Sequence, residues 1–283
     1  MQREAAIPTA LYIGMSASGK STVCSMCLIG DVCRGINTTP HGDQIEVGDG
    51  ARGTTFECNY YQGTLQPGLY GGRTGLPLIS RECWLTGTWL NVADTIGFGE
   101  GQGGRVATTD AIKNLRNFLE RSKNGYNIVV FVKPQRISRE EEMLFHVFYD
   151  ILLPDLRDLF CLVVTGCENN PEWLRQNEYQ LNRSAFGVIP RNRRIAVGFP
   201  CGGSLEPVYK ELRADQLKLL REWLEQHAIS QALVPASAFA EGSAFYKLLK
   251  KLLQYCGIFI RDRWYQLLRA MGLSDEEIKQ IDN

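Results

Sequence analysis

One stretch near the start constrains this chain more than any other. An apolar run, Ala10-Leu11-Tyr12-Ile13, gives way to Gly14-Met15-Ser16-Ala17-Ser18-Gly19-Lys20-Ser21-Thr22, and a second apolar run, Val23 to Ile29, follows at once. Strand, Gly-x-x-x-x-Gly-Lys-Ser loop and helix, in that order, form the context in which this pattern cradles phosphate. Gly14 and Gly19 reach backbone angles closed to other residues and let the main chain approach a ligand. Amides from Ser16 through Ala17, Ser18 and Gly19 to Thr22 point into such a loop, with the positive end of the new helix beneath them. Lys20 brings a point charge for the outer phosphates of a nucleotide, and the Ser21 hydroxyl is placed to ligate magnesium.

Composition narrows what surrounds this loop. The 283 residues suit one large domain or one domain with an appendage. A formal net charge of zero lacks the electrostatic footprint of a nucleic-acid binder. Nine cysteines, an odd number, are scattered without the paired spacing of a secreted scaffold, and the N-terminus has no long apolar core. Reduced thiols and a cytoplasmic location are therefore expected. Cys24 and Cys27 form a Cys-x-x-Cys with Cys33 nearby, but a zinc site needs a second ligand pair. Small buried thiols on the first helix are the expectation. No apolar run approaches the roughly 18 residues of a membrane span.

Residues 30–53 are rich in Gly, Asp, Thr and Asn and show no helical or alternating period, so they read as a long mobile connection. Arg52-Gly53-Thr54-Thr55-Phe56 follows, then an alternating Glu57-Cys58-Asn59-Tyr60-Tyr61 that reads as a strand. In phosphate-loop nucleotidases a threonine between helix one and strand two closes over the metal and the outer phosphate. Thr55 or Thr54 is placed for that role, against the alternative of a solvated loop. Residues 62–78 form a Gly- and Pro-rich loop or hairpin insertion. Ile79 to Leu85, a Thr86-Gly87 turn and Trp89-Leu90-Asn91-Val92-Ala93-Asp94 read as an edge hairpin running into a buried strand. Asp94 ends that strand and is positioned to back the magnesium ion, while Gly97 offers its amide to a γ-phosphate. The glycines at 99, 101, 103 and 104 make a segment able to move on hydrolysis.

Asp94-Thr95-Ile96-Gly97-Phe98-Gly99-Glu100 resembles the Asp-Thr-Pro-Gly-Phe-Gly-Asp of septin-like GTPases, with Ile96 in place of the usual proline. A helical period over 105–122 and a buried strand, Tyr126 to Val132, come next. Lys133-Pro134-Gln135-Arg136-Ile137-Ser138-Arg139-Glu140-Glu141-Glu142 is similar to the Gly-Arg-Phe-Thr-x-Glu-Glu box of the immunity-associated GTPases, the GIMAP/IAN group. Ser138 and Glu141 form a capping box for a helix that ends at Pro154.

The resemblance implies a base-recognition element after the strand Phe160 to Val164, where GTPases carry Thr/Asn-Lys-x-Asp. Here Thr165-Gly166-Cys167-Glu168 stands. A carboxylate at Glu168 would accept from both the ring N–H and the amino group of guanine, which adenine cannot match. The competing role for Glu168 is a helix start before Asn169-Asn170-Pro171, with Pro171 at the first helical position. Gly166 departs from the family's lysine. Arg194 to Pro200 resembles the last strand and base-side loop, with Phe199 beside the base or in the core, the core slightly favoured.

Residues 204–230 read as an amphipathic helix carrying Leu212, Leu217, Leu219, Leu220, Trp223 and Leu224. Beyond Ala240, residues Phe245, Leu248, Leu249, Leu252, Leu253 and Phe259 share a helical face, with Lys247, Lys250 and Lys251 off it. A packed helix with a solvated face is favoured over a membrane-surface or partner helix. Trp264 to Ile281 resembles the first half of a death domain, with Gly272 as helix stop and a Ser274–Glu277 capping box; an unrelated helical hairpin is the alternative.

The expectation is a three-layer α/β G domain over 1–230, a mostly parallel six-stranded sheet with one antiparallel strand, followed by a helical extension over 231–283. It would bind GTP and GDP with Mg²⁺ held by Ser21, Thr55 and Asp94. Lys20, Thr55 and Gly97 would serve slow hydrolysis, since no Gln directly follows Gly97. Residues 30–55 and 95–105 would change conformation. Control by homodimers or oligomers through the G domain and a death-fold partner for the tail are the implied associations. The competing function is a non-hydrolysing, nucleotide-gated scaffold or adaptor in immune or death signalling.

Overall fold

The computed structural model describes residues 9–15, 18–31, 35–38, 44–47, 57–62, 89–94, 109–255 and 261–282. Four strands form the part of the sheet whose side chains are described: β1 (Thr9–Gly14), β6 (Ile128–Pro134), β7 (Phe160–Thr165) and β8 (Arg194–Ala196). All four run parallel. Backbone pairing extends the other edge of β1 with parallel β5 (Trp89–Asp94) and then antiparallel β4 (Glu57–Gln62), giving the order β4-β5-β1-β6-β7-β8. The chain is an α/β protein built on a parallel sheet.

Alternation across the strands builds two cores, because successive side chains face opposite sides. Tyr12, Val130, Val132, Cys161 and Val163 point to one face, where α1 (Lys20–Ile29) and α6 (Glu206–His227) cover them with Val23, Cys27, Leu217 and Leu220. Leu11, Ile13, Val129, Phe131, Leu162 and Val164 point to the other, with α2 (Thr109–Ser122) and α3 (Arg139–His146). Strands covered on both faces are near-continuous apolar runs, as Ile128 to Val132 is. Phe131 anchors its layer through edge contacts with Phe145, 5.3 Å between ring centroids.

Local signals act where their chemistry requires. Ser138 Oγ accepts from the Glu141 amide at 3.2 Å while Glu141 Oε2 accepts from the Ser138 amide at 3.1 Å, the expected capping box at the head of α3. The helix does not run unbroken to Pro154. It passes into a π-helical turn, Val147–Leu152, whose wider loop closes at Leu153 N–H to Phe148 O. A 3-10 turn, Pro154–Leu159, then leads into β7.

Three further sequence-based readings need correction, the second of them the competing reading of Glu168. Residues 30–53 are not one featureless connection: β2 (Gly35–Thr38) and β3 (Gln44–Val47) pair antiparallel as a separate two-stranded ribbon. Each run has only four residues, too few for alternation to stand out among Gly, Asp and Thr. Pro171 is not the first helical residue, because α4 (Trp173–Gln176) begins two residues later and α5 (Glu178–Arg183) follows. Leu219, expected on the apolar face of α6, stands exposed. The edge hairpin expected at 79–87 lies outside the described residues.

The C-terminal helices α7 (Ser243–Tyr255), α8 (Arg261–Ala270) and α9 (Asp275–Asp282) join an existing core. Phe245, Leu249, Leu252, Trp264, Leu268, Ile278 and Ile281 belong to the same buried cluster as Phe118, Phe148 and Leu152. The apolar face of α7 is thus spent on packing, with Lys247 and Lys251 outside. Arg116 lies over the Phe245 ring at 4.4 Å. Gly272 stops α8 in the left-handed region, φ 84°, and the Ser274–Glu277 capping box opens α9. Phe259 lies outside the described residues. No helix among the described residues is long and apolar enough to cross a membrane.

Candidate nucleotide site

The strand order fixes where a ligand can sit. From β1 the chain goes to one side for β4 and β5, and β6 returns on the other side. Crevices form at such reversals, outside the carboxyl ends of the strands. Gly14 and Met15 lie at that end of β1, and Ser18 and Gly19 lead into α1. Register places Asp94 at the end of β5 directly beside Gly14, which brings the two expected nucleotide elements to one edge.

Two glycines shape the loop. A Cβ on Gly14 would stand 2.1 Å from the Val132 carbonyl oxygen, so β6 could not come this close beside any other residue. Gly19 takes φ 89°, in the left-handed region, and heads α1. Lys20 is almost fully buried, and its Nζ folds back to donate to the Gly14 and Met15 carbonyls, both at 2.8 Å. Ser18 N–H donates to the Met15 carbonyl at 3.1 Å. Ser18 Oγ is buried without a hydrogen-bond partner among the described residues, an uncompensated polar atom inside the loop. Ser21 and Thr22 are half-buried at the first turn of α1.

The end of β7 holds this loop. Thr165 Oγ1 donates to the Ser18 carbonyl at 2.7 Å, with the Lys133 carbonyl at 3.2 Å. Cys167 N–H donates to the Val197 carbonyl at 3.1 Å, fastening the β7 end to the segment leaving β8. Gly198 fits against it so closely that a Cβ there would meet the Glu168 nitrogen at 2.3 Å. Glu168 is half-buried beside this contact. Gly166 is exposed with φ 75°, and its carbonyl accepts from the Gln135 side-chain amide. Phe199 is buried with Val197 and Trp223, so it fills core.

The structure thus brings together Gly14, Ser18, Gly19, Lys20, Ser21, Thr22, Thr165 and Glu168, with Asp94 placed by backbone register. Ser16, Ala17, Thr54, Thr55, Ile96 and Gly97 lie outside the described residues. Cys24 and Cys27 are free and fully buried on α1; burial pushes the Cys27 thiol up to about 12, and the Tyr12 hydroxyl lies 3.8 Å from its Sγ.

Sequence reasoning missed the role of Lys133. It is the penultimate residue of β6 and fully buried, with Nζ donating to the carbonyls of Pro134 and of Arg136, the latter at 3.1 Å. Trp173 and Phe186 flank it, 5.5 and 5.7 Å from Nζ to ring centroid. Burial pushes this amine down to about 8, partly offset by the Glu141 carboxylate, whose own pKa burial raises. A cation near the end of an otherwise apolar strand was the available signal.

No protein-family model matches the chain, and no curated protein matches it. Among solved structures it is similar to the G domain of the T. maritima FeoB iron transporter, at 12% identity and TM-score 0.36, over 78% of this chain and 98% of that one. It is also similar to the translation elongation factor SelB from Methanococcus maripaludis in complex with the GTP analogue GppNHp, at 10% identity and TM-score 0.36. That match covers 79% of this chain and 35% of SelB. A mutation variant of SsGBP aligns at 13% identity and TM-score 0.39 over 78% of this chain and 56% of its own. At such identities and TM-scores, the α/β fold rests on the strand order.

Proposed function

We propose that the chain is a guanine-nucleotide-binding switch that hydrolyses GTP slowly. The observation that carries this is the hydrogen bond from Thr165 to the Ser18 carbonyl, which joins the Gly-Lys-Ser loop to the Thr165–Glu168 segment. Phosphate cradle and base-reading carboxylate then belong to one rigid edge. The loop suits an anion: a left-handed glycine at the head of a ten-residue helix, a buried lysine over the loop carbonyls, and an unpartnered buried hydroxyl. Lys20 would swing from the Gly14 and Met15 carbonyls to the outer phosphates, and Glu168 would accept from the guanine edge.

Hydroxyl and carboxylate oxygens suit a hard cation, so Ser21, Thr55 and Asp94 would hold magnesium, which neutralises charge on the outer phosphates. Gly97 would orient the γ-phosphate with its amide. Residues 30–55 and 95–105 would respond to the nucleotide state, with turnover raised when a second copy completes the site. The septin-like, immunity-associated type is supported by the Asp94–Glu100 run and by the 133–142 box, whose capping residues are in place.

Calorimetry with GTP, GDP and ATP on wild type and Lys20→Ala tests the proposal. Guanine nucleotides should bind wild type selectively, and Lys20→Ala should lose most of that affinity. Undiminished uptake by Lys20→Ala would overturn it. Chromatography of the co-purifying nucleotide separates the switch from a non-hydrolysing scaffold: GDP indicates turnover, intact GTP the scaffold.

A further inference from the structure

Arg213 lies on α6 and is not among the residues expected to touch a nucleotide, yet its side chain is only 2% exposed. Its guanidinium ties the start of its own helix to two other segments. Nε donates to Asp31 Oδ1 at 2.8 Å, Nη1 to the Pro200 carbonyl at 2.7 Å and Nη2 to Glu206 Oε1 at 2.6 Å. Glu206 extends the cluster, since its Oε2 accepts from the Gly202 amide at 2.6 Å. These are charge-assisted bonds in a planar fork, a geometry lysine cannot reproduce.

The partners matter more than the count of bonds. Asp31 immediately follows Gly30, where α1 ends in the left-handed conformation, and it precedes the β2–β3 ribbon. Pro200 and Gly202 continue the segment that leaves β8, two residues beyond the Gly198 contact with Glu168. One buried cation therefore bridges the exit of the phosphate-loop helix and the base-side segment. A buried charge does not tolerate the loss of one partner, because the remaining charge is left uncompensated.

We propose that Arg213 is a positioning residue that couples the base-side segment 198–206 to Asp31 at the exit of α1, so that base recognition and retention of the nucleotide by the loop ahead of α1 change together. The proposal rests on guanine-nucleotide binding at residues 14–22 and adds a regulatory link to it. Glu206 would keep the base-side end of the clamp in register, while Asp31 is the end that transmits.

Hydrogen exchange on the full chain, with GDP and with a non-hydrolysable GTP analogue, tests this in wild type, Asp31→Asn, Asp31→Glu and Arg213→Lys. In wild type, exchange at 199–206 should differ between the two nucleotides, and GDP release should be slow. Asp31→Asn should abolish that nucleotide dependence and speed GDP release about tenfold, within the usual span of coupling between sites. Asp31→Glu should restore part of both, and Arg213→Lys should behave like Asp31→Asn. An unaltered nucleotide dependence in a folded Asp31→Asn protein overturns the coupling while guanine-nucleotide binding stands. Wild type that binds no guanine nucleotide overturns both.

Discussion

Thr165 and Ser18 stand 147 residues apart and are joined by a hydrogen bond of 2.7 Å, hydroxyl to carbonyl. The acceptor belongs to the Gly-Lys-Ser loop and the donor closes β7, so the loop's shape depends on a side chain from across the sheet. Thr165→Val keeps the volume and removes the donor. A net hydrogen bond of about 1 kcal/mol corresponds to about fivefold weaker GDP binding. Thr165→Ser should retain wild-type affinity, and calorimetry on both variants checks the pair.

Gly198 gives a sharper steric test. A methyl group there would overlap the Glu168 backbone, with contacts of 2.3 and 2.5 Å to its nitrogen and Cα. Backbone cannot rotate away as a side chain can. Gly198→Ala should lose about 1–3 kcal/mol in urea unfolding. It should also narrow the proposed preference for GTP over ATP, since Glu168 must shift.

Lys133 predicts an unusual pH dependence. Its folded pKa of about 8 lies below the ordinary 10.5, so between those values the unfolded chain binds more protons than the folded one. Stability must then rise with pH across that window, by up to about 1.4 kcal/mol per pH unit from this group. Below pH 8 both states are charged and the contribution is flat. Urea unfolding at pH 7 to 10 should show the rise in wild type and its loss in Lys133→Met, where Glu141 is left without its ammonium partner.

The C-terminal helices share a core with the sheet, so they should not melt alone. Leu252 is fully buried in the cluster that includes Phe148 and Leu152. Leu252→Ala should cost about 2–5 kcal/mol. Calorimetric unfolding should remain a single transition at a lower temperature; a separate early transition for residues 243–282 would contradict the shared core.

Much of this was legible because local chemistry and tertiary demand agree. Tyr126 to Val132 reads as a buried strand, and Ile128–Pro134 forms one; Ser138 and Glu141 read as a capping box and bond as one. The phosphate loop combines a pattern with strict backbone needs, and Gly14 and Gly19 show why no other residue serves. What escaped was set by partners distant in sequence. Nothing near Arg213 announces Asp31 and Pro200, and nothing near Lys133 announces Trp173 and Phe186. The β2–β3 ribbon escaped for a different reason, since pairing between two four-residue runs leaves almost no periodic trace.

At Gly166 an added Cβ would meet nothing within 4 Å, while φ is 75°. Torsion, rather than crowding, is therefore what disfavours a side chain at this bend. Asparagine tolerates that torsion better than other non-glycine residues, which makes this bend a ready graft point for adding a polar group at the rim without disturbing the packing below it.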